Sequence, residues 1–324
     1  MQNTVFNIQS EEAFTKVALE IFKHQFENNP TYRSFCDLLY VHPSDISKIE
    51  EIPFLPIQFF KSKNVLSSKA EVVETFTSSG TTGSTTSKHL ITDISWYEQS
   101  YRKGFEHFYG DIASYTVLAL LPNYLERKGS SLVYMANDFI KRSKSPHSGF
   151  YLHNIDDLAN KLIELDKKEE KILLIGVSFA LLDLIEKYQF KLNNTIVMET
   201  GGMKGRRKEL IRTELHQLLA NGFGVEKIHS EYGMTELLSQ GYSKGNGIFN
   251  SPPWMKILTR DTEDPLSIQK TGKTGGINVI DLANYNSCSF IATQDLGKTY
   301  TDQSFEIIGR FDNSDIRGCN LMVL

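Results

Sequence analysis

Apolar and polar residues follow two different spacings along most of the chain. Residues 11–26 and 93–108 carry apolar side chains three and four positions apart, which predicts helices, and Thr92 or Asp93 can cap the second one. The same spacing predicts helices at 156–168, 179–188 and 206–220. Short runs of branched residues predict buried strands at 116–121, 172–177, 195–199 and 225–229. This succession predicts an α/β fold with a largely parallel sheet through the middle of the chain.

The last quarter of the chain has a different pattern. From residue 275 onward, the runs "GGINVI", "CSFIAT" and "SFEIIG" are short and apolar, and Gly, Asn and Asp separate them without a helical stretch. We therefore expect an appended antiparallel β unit in this part.

Composition limits the possible functions. The chain has 324 residues, 40% hydrophobic and 23% charged, which is typical of one large or two ordinary globular domains. A formal net charge of −4 provides no overall attraction for nucleic acid or an anionic membrane, so nucleic acid is not an expected partner. The start lacks a signal peptide, and no run reaches the ~20 apolar residues of a membrane span. We expect a cytoplasmic protein without stable membrane insertion.

The three cysteines, Cys36, Cys288 and Cys319, lie far apart and form no C-x-x-C pair. An odd number of cysteines at this spacing favours neither a disulfide framework nor a structural zinc site. We expect at most one of them to take part in chemistry.

Residues 77–87 are all Ser, Thr or Gly, and Lys88 follows them. The segment lies between the extended-looking runs "EVVETF" and "KHLIT", so we expect it to connect two strands. It is not a Walker A loop, because Ser87 stands in place of the second Gly and His89 follows the lysine. Backbone amides, hydroxyls and an amine can still bind phosphate together. The alternative is a flexible polar surface loop.

The stretch "SSGTTGSTTSK" resembles the phosphate loop of the adenylate-forming enzymes, the superfamily of acyl-CoA synthetases, firefly-type luciferases and peptide-synthetase adenylation domains. Their usual pattern is [ST]-S-G-[ST]-T-G-x-P-K, from which this chain departs by lacking the Pro and by extra residues before the Lys. The resemblance assigns phosphate binding to Ser79, Gly80, Thr81, Thr82 and Gly83. It assigns a catalytic role to Lys88.

A second segment, "EYGMTE" (231–236), resembles the Y-G-x-T-E signature of the same superfamily. The resemblance implies that the ring of Tyr232 stacks on adenine and that Gly233 adjoins the nucleotide. It also implies that Thr235 contacts the α-phosphate and that Glu236 helps to hold magnesium. Without the resemblance, the pattern of this segment indicates only a strand followed by a turn.

Two later segments complete the set. "TQDLG" (293–297) resembles T-G-D-x-G, with Gln294 in place of Gly, and implies that Asp295 bonds the ribose hydroxyls. "GRFD" (309–312) resembles G-R-x-D, which implies a ribose contact from Arg310 and a hinge at Asp312. Together the four segments offer groups that suit Mg·ATP: donors for phosphate, a carboxylate for a hard cation, an acceptor for the ribose diol and a ring for the purine. The expected cofactors are ATP and Mg²⁺.

Segments 52–62, 198–205 and 231–243 resemble one branch, the LuxE-type acyl-protein synthetases of bacterial fatty-acid reductase systems. This branch implies ATP-dependent activation of a fatty acid to acyl-AMP, transfer to an enzyme thiol, and delivery to a partner such as a reductase. Gly201 and Gly202 would lie along the adenine. An acyl-CoA ligase of the phenylacetate type is the alternative. Trp254 either adjoins an acyl pocket or belongs to the core.

The resemblance also implies a domain division. Residues 1–310 would form the large N-terminal domain of the adenylate-forming fold, with stacked mixed sheets, helices and a small C-terminal β unit. Residues 311–324 would be a short tail where ordinary members carry a lid domain with a catalytic lysine. We then expect the positive charge for adenylation to come from Lys88, magnesium or a partner.

Cys319 is the cysteine near the C-terminus that the acyl-protein synthetase branch implies as acyl acceptor. It follows Asp312 by seven residues, which span roughly 23–25 Å when extended at ~3.3–3.6 Å per residue. Gly318 can act as a hinge, and Arg317 can favour the thiolate. The alternative is a C-terminal strand that buries Cys319.

A hydrolase is the remaining enzyme class. In "ILLIGVSFA" (172–180), Ser178 lies between a predicted strand and a predicted helix, as in the nucleophile elbow of α/β-hydrolases. Asp183 with His216 or His229 would complete a triad in chain order. The simpler interpretation is that Ser178 caps the helix. A binding module without chemistry is a third possibility.

Overall fold

The structure, a computed structural model, describes residues 1–78, 86–121, 129–151, 154–201 and 210–311. Its α-helices are α1 (Gln2–Val5), α2 (Glu11–Asn28), α3 (Pro30–Leu38), α4 (Phe59–Ser62), α5 (Ser95–Tyr109), α6 (Ser131–Arg142), α7 (Ile155–Lys167), α8 (Ser178–Lys187) and α9 (Arg212–Phe223). Its strands are β1 (Leu55–Pro56), β2 (Glu74–Thr77), β3 (Lys88–Ile91), β4 (Thr116–Leu120), β5 (Gly149–Phe150), β6 (Ile172–Val177), β7 (Thr195–Thr200), β8 (His229–Tyr232), β9 (Gly241–Ser243), β10 (Ile248–Asn250), β11 (Met255–Arg260), β12 (Thr274–Asp281), β13 (Phe290–Thr299) and β14 (Phe305–Arg310).

One mixed sheet of twelve strands organises the fold. Its order is β11-β12-β13-β14-β10-β9-β8-β7-β6-β4-β5, and β1 adds to β13. The strands from β5 to β8 pair in parallel, which confirms the predicted parallel sheet in the middle of the chain. Every residue of β4 and β6 is buried, because helices of the α/β region cover both faces. The strands β2 and β3 form a separate antiparallel pair.

Most predicted elements of the α/β region are present, with ends that shift by a few residues. The strand predicted at 225–229 is wrong, because β8 begins only at His229. The helix α9 ends at Phe223 and is capped by Gly224, whose φ is 65°, and the Val225 amide donates to the carbonyl of Ala220 at 3.1 Å. Gly224 and Val225 therefore cap α9, and the extended strand β8 begins only after them.

The antiparallel strands predicted after residue 275 are β12, β13 and β14. They do not form a separate unit, because β14 pairs with β10 and β9 pairs with β8. Hydrogen bonds thus run without a break from the parallel strands into the antiparallel ones. Residues 312–324 lie outside the described residues, so the predicted division at 310/311 stays a prediction. Within the described ranges, the helices are all too short or too polar to cross a membrane.

Trp254 belongs to the core. Its side chain is 3% exposed, packs against Phe6 and donates from Nε1 to Ser100 and Ser239 at 3.1 and 3.0 Å. Ser239 also bonds the buried carboxylate of Asp281. A satisfied indole donor inside an apolar core is the usual arrangement for a buried Trp.

Candidate nucleotide site

The Ser/Thr/Gly segment connects β2 and β3, as predicted. Thr77 lies opposite Lys88 in this hairpin. At the base of the connection, the amide of Ser78 donates to the carbonyl of Ser87 at 3.1 Å, and the amide of Ser87 donates to Oγ of Ser78 at 2.9 Å. The remaining assigned phosphate-binding residues lie outside the described residues, and their role stays a prediction: Ser79, Gly80, Thr81, Thr82 and Gly83.

The hairpin meets the "EYGMTE" segment through Ser87 and His89. The Ser87 side chain lies close enough to the Glu236 carboxyl to lower its pKa, and Nδ1 of His89 lies 2.8 Å from the carbonyl oxygen of Thr235. Both side chains are buried. The structure therefore brings Thr235 and Glu236 against the base of the loop, as a phosphate and magnesium site requires.

Lys88 lies between these two residues but is exposed. Consecutive side chains of a strand point to opposite faces, so Lys88 projects away from the face that contacts Glu236. The structure does not bring the Lys88 ammonium to Thr235 or Glu236. Its catalytic role stays a prediction.

Glu236 is a buried carboxyl, 5% exposed. Burial raises its pKa, while the Ser87 side chain and the charges of Arg310 and Lys61 act in the opposite direction. A divalent cation would stabilise the ionised form in the same way. No group of three His, Cys, Asp or Glu side chains is placed to hold a metal in the ranges that the structure covers. One carboxylate is sufficient for Mg²⁺, which keeps waters and takes phosphate oxygens as further ligands, so the residues present fit this ion.

Tyr232, Asp295 and Arg310 converge at the other end of the segment. The Tyr232 hydroxyl donates to Oδ2 of Asp295 at 2.8 Å. Asp295 and Arg310 are partners across β13 and β14, and Nε of Arg310 lies 3.6 Å from Oδ1 of Asp295. Sheet register thus brings together three residues from three separate motifs, each of which the resemblance assigns to adenosine.

The Tyr232 ring is largely enclosed. It is 8% exposed and packs at a steep angle against Phe249 and Phe305, with ring centroids 6.1 and 5.7 Å away. These contacts fix the plane of the ring. The stacking of this ring on adenine stays a prediction.

Arg260 supports this end of the site and was not found by sequence reasoning. Its guanidinium donates to the carbonyls of Ile277 and Thr293 and to Oδ1 of Asn278, at 2.6 to 2.8 Å. Burial lowers the Arg260 pKa to about 10, and the charge of Asp295 opposes this shift. Burial also raises the Asp295 pKa, against the effects of Tyr232 and the arginines. An arginine inside the apolar strand "MKILTR" was the signal available in the sequence.

Gly201 lies just beyond the carboxyl end of β7 with φ of 67°, a conformation that favours glycine. Its carbonyl accepts a 2.7 Å hydrogen bond from Ser178. Ser178 also donates to Glu199 at 3.2 Å. These contacts hold the backbone that the resemblance assigns to adenine. Gly202 is outside the described residues.

The contacts of Ser178 argue against a hydrolase. The interpretation of Ser178 as a helix cap is wrong, because α8 begins at Ser178 itself and Val177 precedes it. His216 contacts Glu199 and Ser230 at 3.4 and 3.3 Å, and His229 contacts Tyr109. Neither histidine is placed to take a proton from Ser178.

Glu199 is the centre of a buried polar network. It accepts from Nη1 of Arg212 at 2.7 Å and contacts His216. Burial alone would raise the Glu199 pKa, but the His216 contact and the Arg212 charge hold it below its usual value. Glu199 is connected to Gly201 through Ser178, whose hydroxyl contacts both the Glu199 carboxylate and the Gly201 carbonyl.

Glu231, immediately before Tyr232, was also missed. Its carboxyl is buried and accepts from the Thr200 hydroxyl. Burial and the nearby charge of Glu199 raise its pKa to about 7. Gly233 leaves room for this carboxyl, because a Cβ there would lie 2.3 Å from Oε1 of Glu231. Gly233 therefore has a packing reason in addition to its assigned place beside the nucleotide.

Two of the three cysteines are poor nucleophiles. Cys36 and Cys288 are fully buried. Burial raises the pKa of the Cys36 thiol to about 12 and that of Cys288 further. A thiolate is the reactive form, so neither residue suits acyl transfer. Cys319 is outside the described residues.

Comparisons with known proteins show which sequences this chain resembles. The family described as "Acyl-protein synthetase, LuxE" matches residues 5–100. The long-chain-fatty-acid–luciferin-component ligase of Aliivibrio fischeri is 25% identical, with 97% of this chain and 88% of that protein covered.

Solved structures show the fold. A 2-hydroxyisobutyryl-CoA ligase in complex with 2-HIB-AMP and CoA superposes with a TM-score of 0.67 at 12% identity, covering 94% of this chain and 70% of the other. ATP-bound MatB from Rhodopseudomonas palustris superposes with a TM-score of 0.56 at 16% identity, over 76% of this chain. The chain spans about half (49%) of the MatB chain.

The predicted resemblance and fold class are confirmed by these matches, and the predicted enzyme class, an AMP-forming acyl ligase, agrees with them. The chain is thus similar to the LuxE acyl-protein synthetases over residues 5–100 and to long-chain-fatty-acid ligases over most of its length, and it shares its α/β fold with the solved CoA ligase.

Proposed function

We propose that the protein uses ATP to activate a fatty acid as acyl-AMP and then transfers the acyl group to a thiol. One observation carries the proposal. Tyr232, Asp295 and Arg310 meet at one end of a short segment, and Ser87 and Glu236 meet at the other. The groups assigned to adenosine lie at one end of the segment and those assigned to phosphate and magnesium at the other. This arrangement supports a nucleotide that lies along residues 232–236.

The first step is a substitution at the α-phosphorus. An oxygen of the fatty acid carboxylate forms a bond to the α-phosphorus of ATP, the bond to the bridging oxygen breaks, and pyrophosphate leaves with the electron pair. Negative charge accumulates on the phosphoryl oxygens, so cationic groups nearby lower the barrier. Glu236 would hold Mg²⁺, which supplies such charge when bound. Asp295 and Arg310 would orient the ribose.

In the second step a thiolate attacks the acyl carbon, the bond to the phosphate oxygen breaks, and AMP leaves. We propose Cys319 as the thiol and a reductase as the next acceptor. The burial of Cys36 and Cys288 supports this choice, because it leaves Cys319 as the remaining thiol. The name of the Aliivibrio fischeri relative, a long-chain-fatty-acid ligase, supports the substrate class.

Acid-dependent exchange of pyrophosphate into ATP tests the first step. We expect exchange with long-chain fatty acids and capture of the acyl group by hydroxylamine. Absence of exchange with any acid, under conditions where the protein is folded, would refute the proposal. Stoichiometric labelling of Ser178 by a fluorophosphonate would indicate a hydrolase instead.

Mass spectrometry after incubation with ATP and fatty acid tests the second step. We expect a hydroxylamine-labile adduct on Cys319 that is lost in Cys319→Ser while exchange persists. Cys36→Ser serves as the matched control and should retain the adduct. Transfer only to added CoA would instead favour an acyl-CoA ligase.

A further inference from the structure

The segment that holds Thr235 and Glu236 has no regular structure, since β8 ends at Tyr232 and β9 begins at Gly241. Buried side chains from other elements bind its backbone. His89 binds the Thr235 carbonyl, Asn284 binds the Glu236 carbonyl at 2.8 Å, and Asp281 accepts from the amides of Leu238 and Ser239 at 2.8 and 2.9 Å. The positions of Thr235 and Glu236 therefore depend on these side chains.

Of the three, His89 alone comes from the hairpin that carries the Ser/Thr/Gly loop. It lies two residues beyond Ser87 on the same face of the chain. His89 contacts the Thr235 carbonyl, and Ser87 lies beside the carboxyl of Glu236, the next residue along the segment. His89 therefore connects the hairpin directly to the segment.

The His89 ring is held in one chemical form and one orientation. Burial lowers its pKa to about 4, so the ring is neutral at physiological pH. A carbonyl oxygen can only accept, so the proton is on Nδ1 and points at Thr235. Phe60 packs edge-on against the ring, with centroids 5.6 Å apart. Nε2 has no hydrogen-bond partner in the described part of the chain, so the Thr235 contact is the polar one that orients the ring.

We propose that His89 is a positioning residue that keeps the phosphate-loop hairpin in register with Thr235 and Glu236 during acyl-adenylate formation. The inference rests on the proposed function. His89 does not contact the adenosine end, where Tyr232 and Asp295 bind each other. Loss of the contact should therefore slow the phosphoryl step more than it weakens ATP binding, since small misplacements of reacting groups cost up to about 10²-fold.

The test compares three substitutions at this position. His89→Leu removes the donor, His89→Gln keeps an amide but moves it to the position of Nε2, and His89→Asn keeps an amide at the position of Nδ1. In pyrophosphate exchange, we expect kcat to fall about 30- to 100-fold in His89→Leu and His89→Gln, with KM for ATP within about threefold. His89→Asn should recover kcat to within about fivefold of wild type. If His89→Leu does not fold, His89→Gln provides the comparison.

His229→Leu is the matched control, because His229 is a partly buried histidine whose pKa burial also lowers to about 4. It should lower the melting temperature without the kcat loss. Equal kcat in folded His89→Leu, His89→Gln and wild type would overturn the inference. A kcat of His89→Asn as low as that of His89→Leu would also overturn it.

A binding measurement separates this outcome from failure of the proposed function. Wild type without acid-dependent exchange would refute the function but not the positioning role. Thermal stabilisation by ATP with and without Mg²⁺ would then be compared. We expect the Mg²⁺-dependent part to be smaller in His89→Leu and kept in His89→Asn, and an unchanged Mg²⁺-dependent part in both would overturn the inference.

Discussion

The hydroxyl of Tyr232 donates a 2.8 Å hydrogen bond to Oδ2 of Asp295, which joins the end of β8 to the middle of β13. The aromatic ring and the carboxylate are thus oriented by each other in the protein alone. A nucleotide would meet a site in which these two groups need little rearrangement, which reduces the entropy lost on binding.

Removing this hydrogen bond should weaken ATP binding. Tyr232→Phe keeps the ring but leaves Oδ2 of the partly buried Asp295 without its donor. We expect KM for ATP in pyrophosphate exchange to rise about three- to tenfold, the scale of one typical hydrogen bond. Tyr242→Phe is the control, because the buried Tyr242 hydroxyl has no hydrogen-bond partner among the described residues. Equal effects of the two changes would show that the Tyr232 hydroxyl is irrelevant to the nucleotide.

The carboxylate of Glu236 should be needed for the chemical step. Glu236→Gln keeps the side-chain shape and its contact with Ser87 but removes the charge that holds magnesium. We expect exchange to fall about 10²- to 10³-fold, and the loss to persist at saturating Mg²⁺. Glu226→Gln, a change at an exposed residue, should leave exchange intact. Exchange at the wild-type rate in Glu236→Gln would place the metal elsewhere.

Two lysines can supply charge to the phosphates. The resemblance favours Lys88, whereas the structure has Lys61 of α4 close enough to lower the Glu236 pKa. We expect Lys88→Ala to lower exchange at least tenfold, as for loss of an electrostatic stabiliser. Lys63→Ala, at an exposed neighbour of α4, is the control. If exchange falls in Lys61→Ala but not in Lys88→Ala, Lys61 of α4 supplies the charge instead of Lys88.

Glu231 should make stability depend on pH. Its pKa is about 7 in the folded protein against 4.5 for an ordinary Glu, so the folded state holds a proton that the unfolded state releases. The resulting stabilisation is complete below about pH 4.5 and is lost as the pH rises through about 7. Glu231→Gln mimics the protonated form at every pH. Relative to wild type, we expect it to gain roughly 2–3 kcal/mol of unfolding free energy between pH 4.5 and 8. Parallel pH profiles of the two proteins in urea unfolding would contradict this prediction.

Gly201 should resist substitution because of its backbone. At φ of 67°, a side chain costs roughly 1–2 kcal/mol. We expect Gly201→Ala to lower the unfolding free energy by about this amount, measured by urea unfolding. Gly149→Ala is the control, because φ there is not positive and a Cβ would meet nothing within 4 Å. A loss of the same size in both variants would remove the conformational explanation.

The parts of the site that the sequence predicts are those that lie within short motifs. "EYGMTE", "TQDLG" and "GRFD" identify Tyr232, Asp295 and Arg310, and the structure places these three side chains together. "TQDLG" and "GRFD" lie in or end strands that the apolar pattern also predicts, whereas "EYGMTE" overlaps the end of β8, which the pattern placed too early. The order of the strands in the sheet then determines which motifs meet, and local pattern contains no information on that order.

The residues that sequence reasoning missed contribute through contacts far along the chain. His89 binds Thr235, which is 146 positions away in the sequence. Arg260 of β11 binds the carbonyl of Thr293 in β13. In the sequence, His89 is only the residue after a lysine. Glu231 has a raised pKa because burial and the charge of Glu199 on β7 outweigh the opposing hydrogen bond from Thr200. Such environments exist only once the sheet has formed.

The β2–β3 hairpin is not paired with the twelve-stranded sheet. Among the described residues, one backbone bond, from the Thr77 amide to the Gly129 carbonyl at 2.8 Å, connects it to its surroundings, together with the side chains of Ser87 and His89 and the buried ring of Phe76 against Tyr97 and Tyr134. The hairpin can therefore open as a unit without breaking a strand ladder. In native-state hydrogen exchange, we expect the amides of β2 and β3 to exchange through a smaller opening free energy than those of β4 and β6.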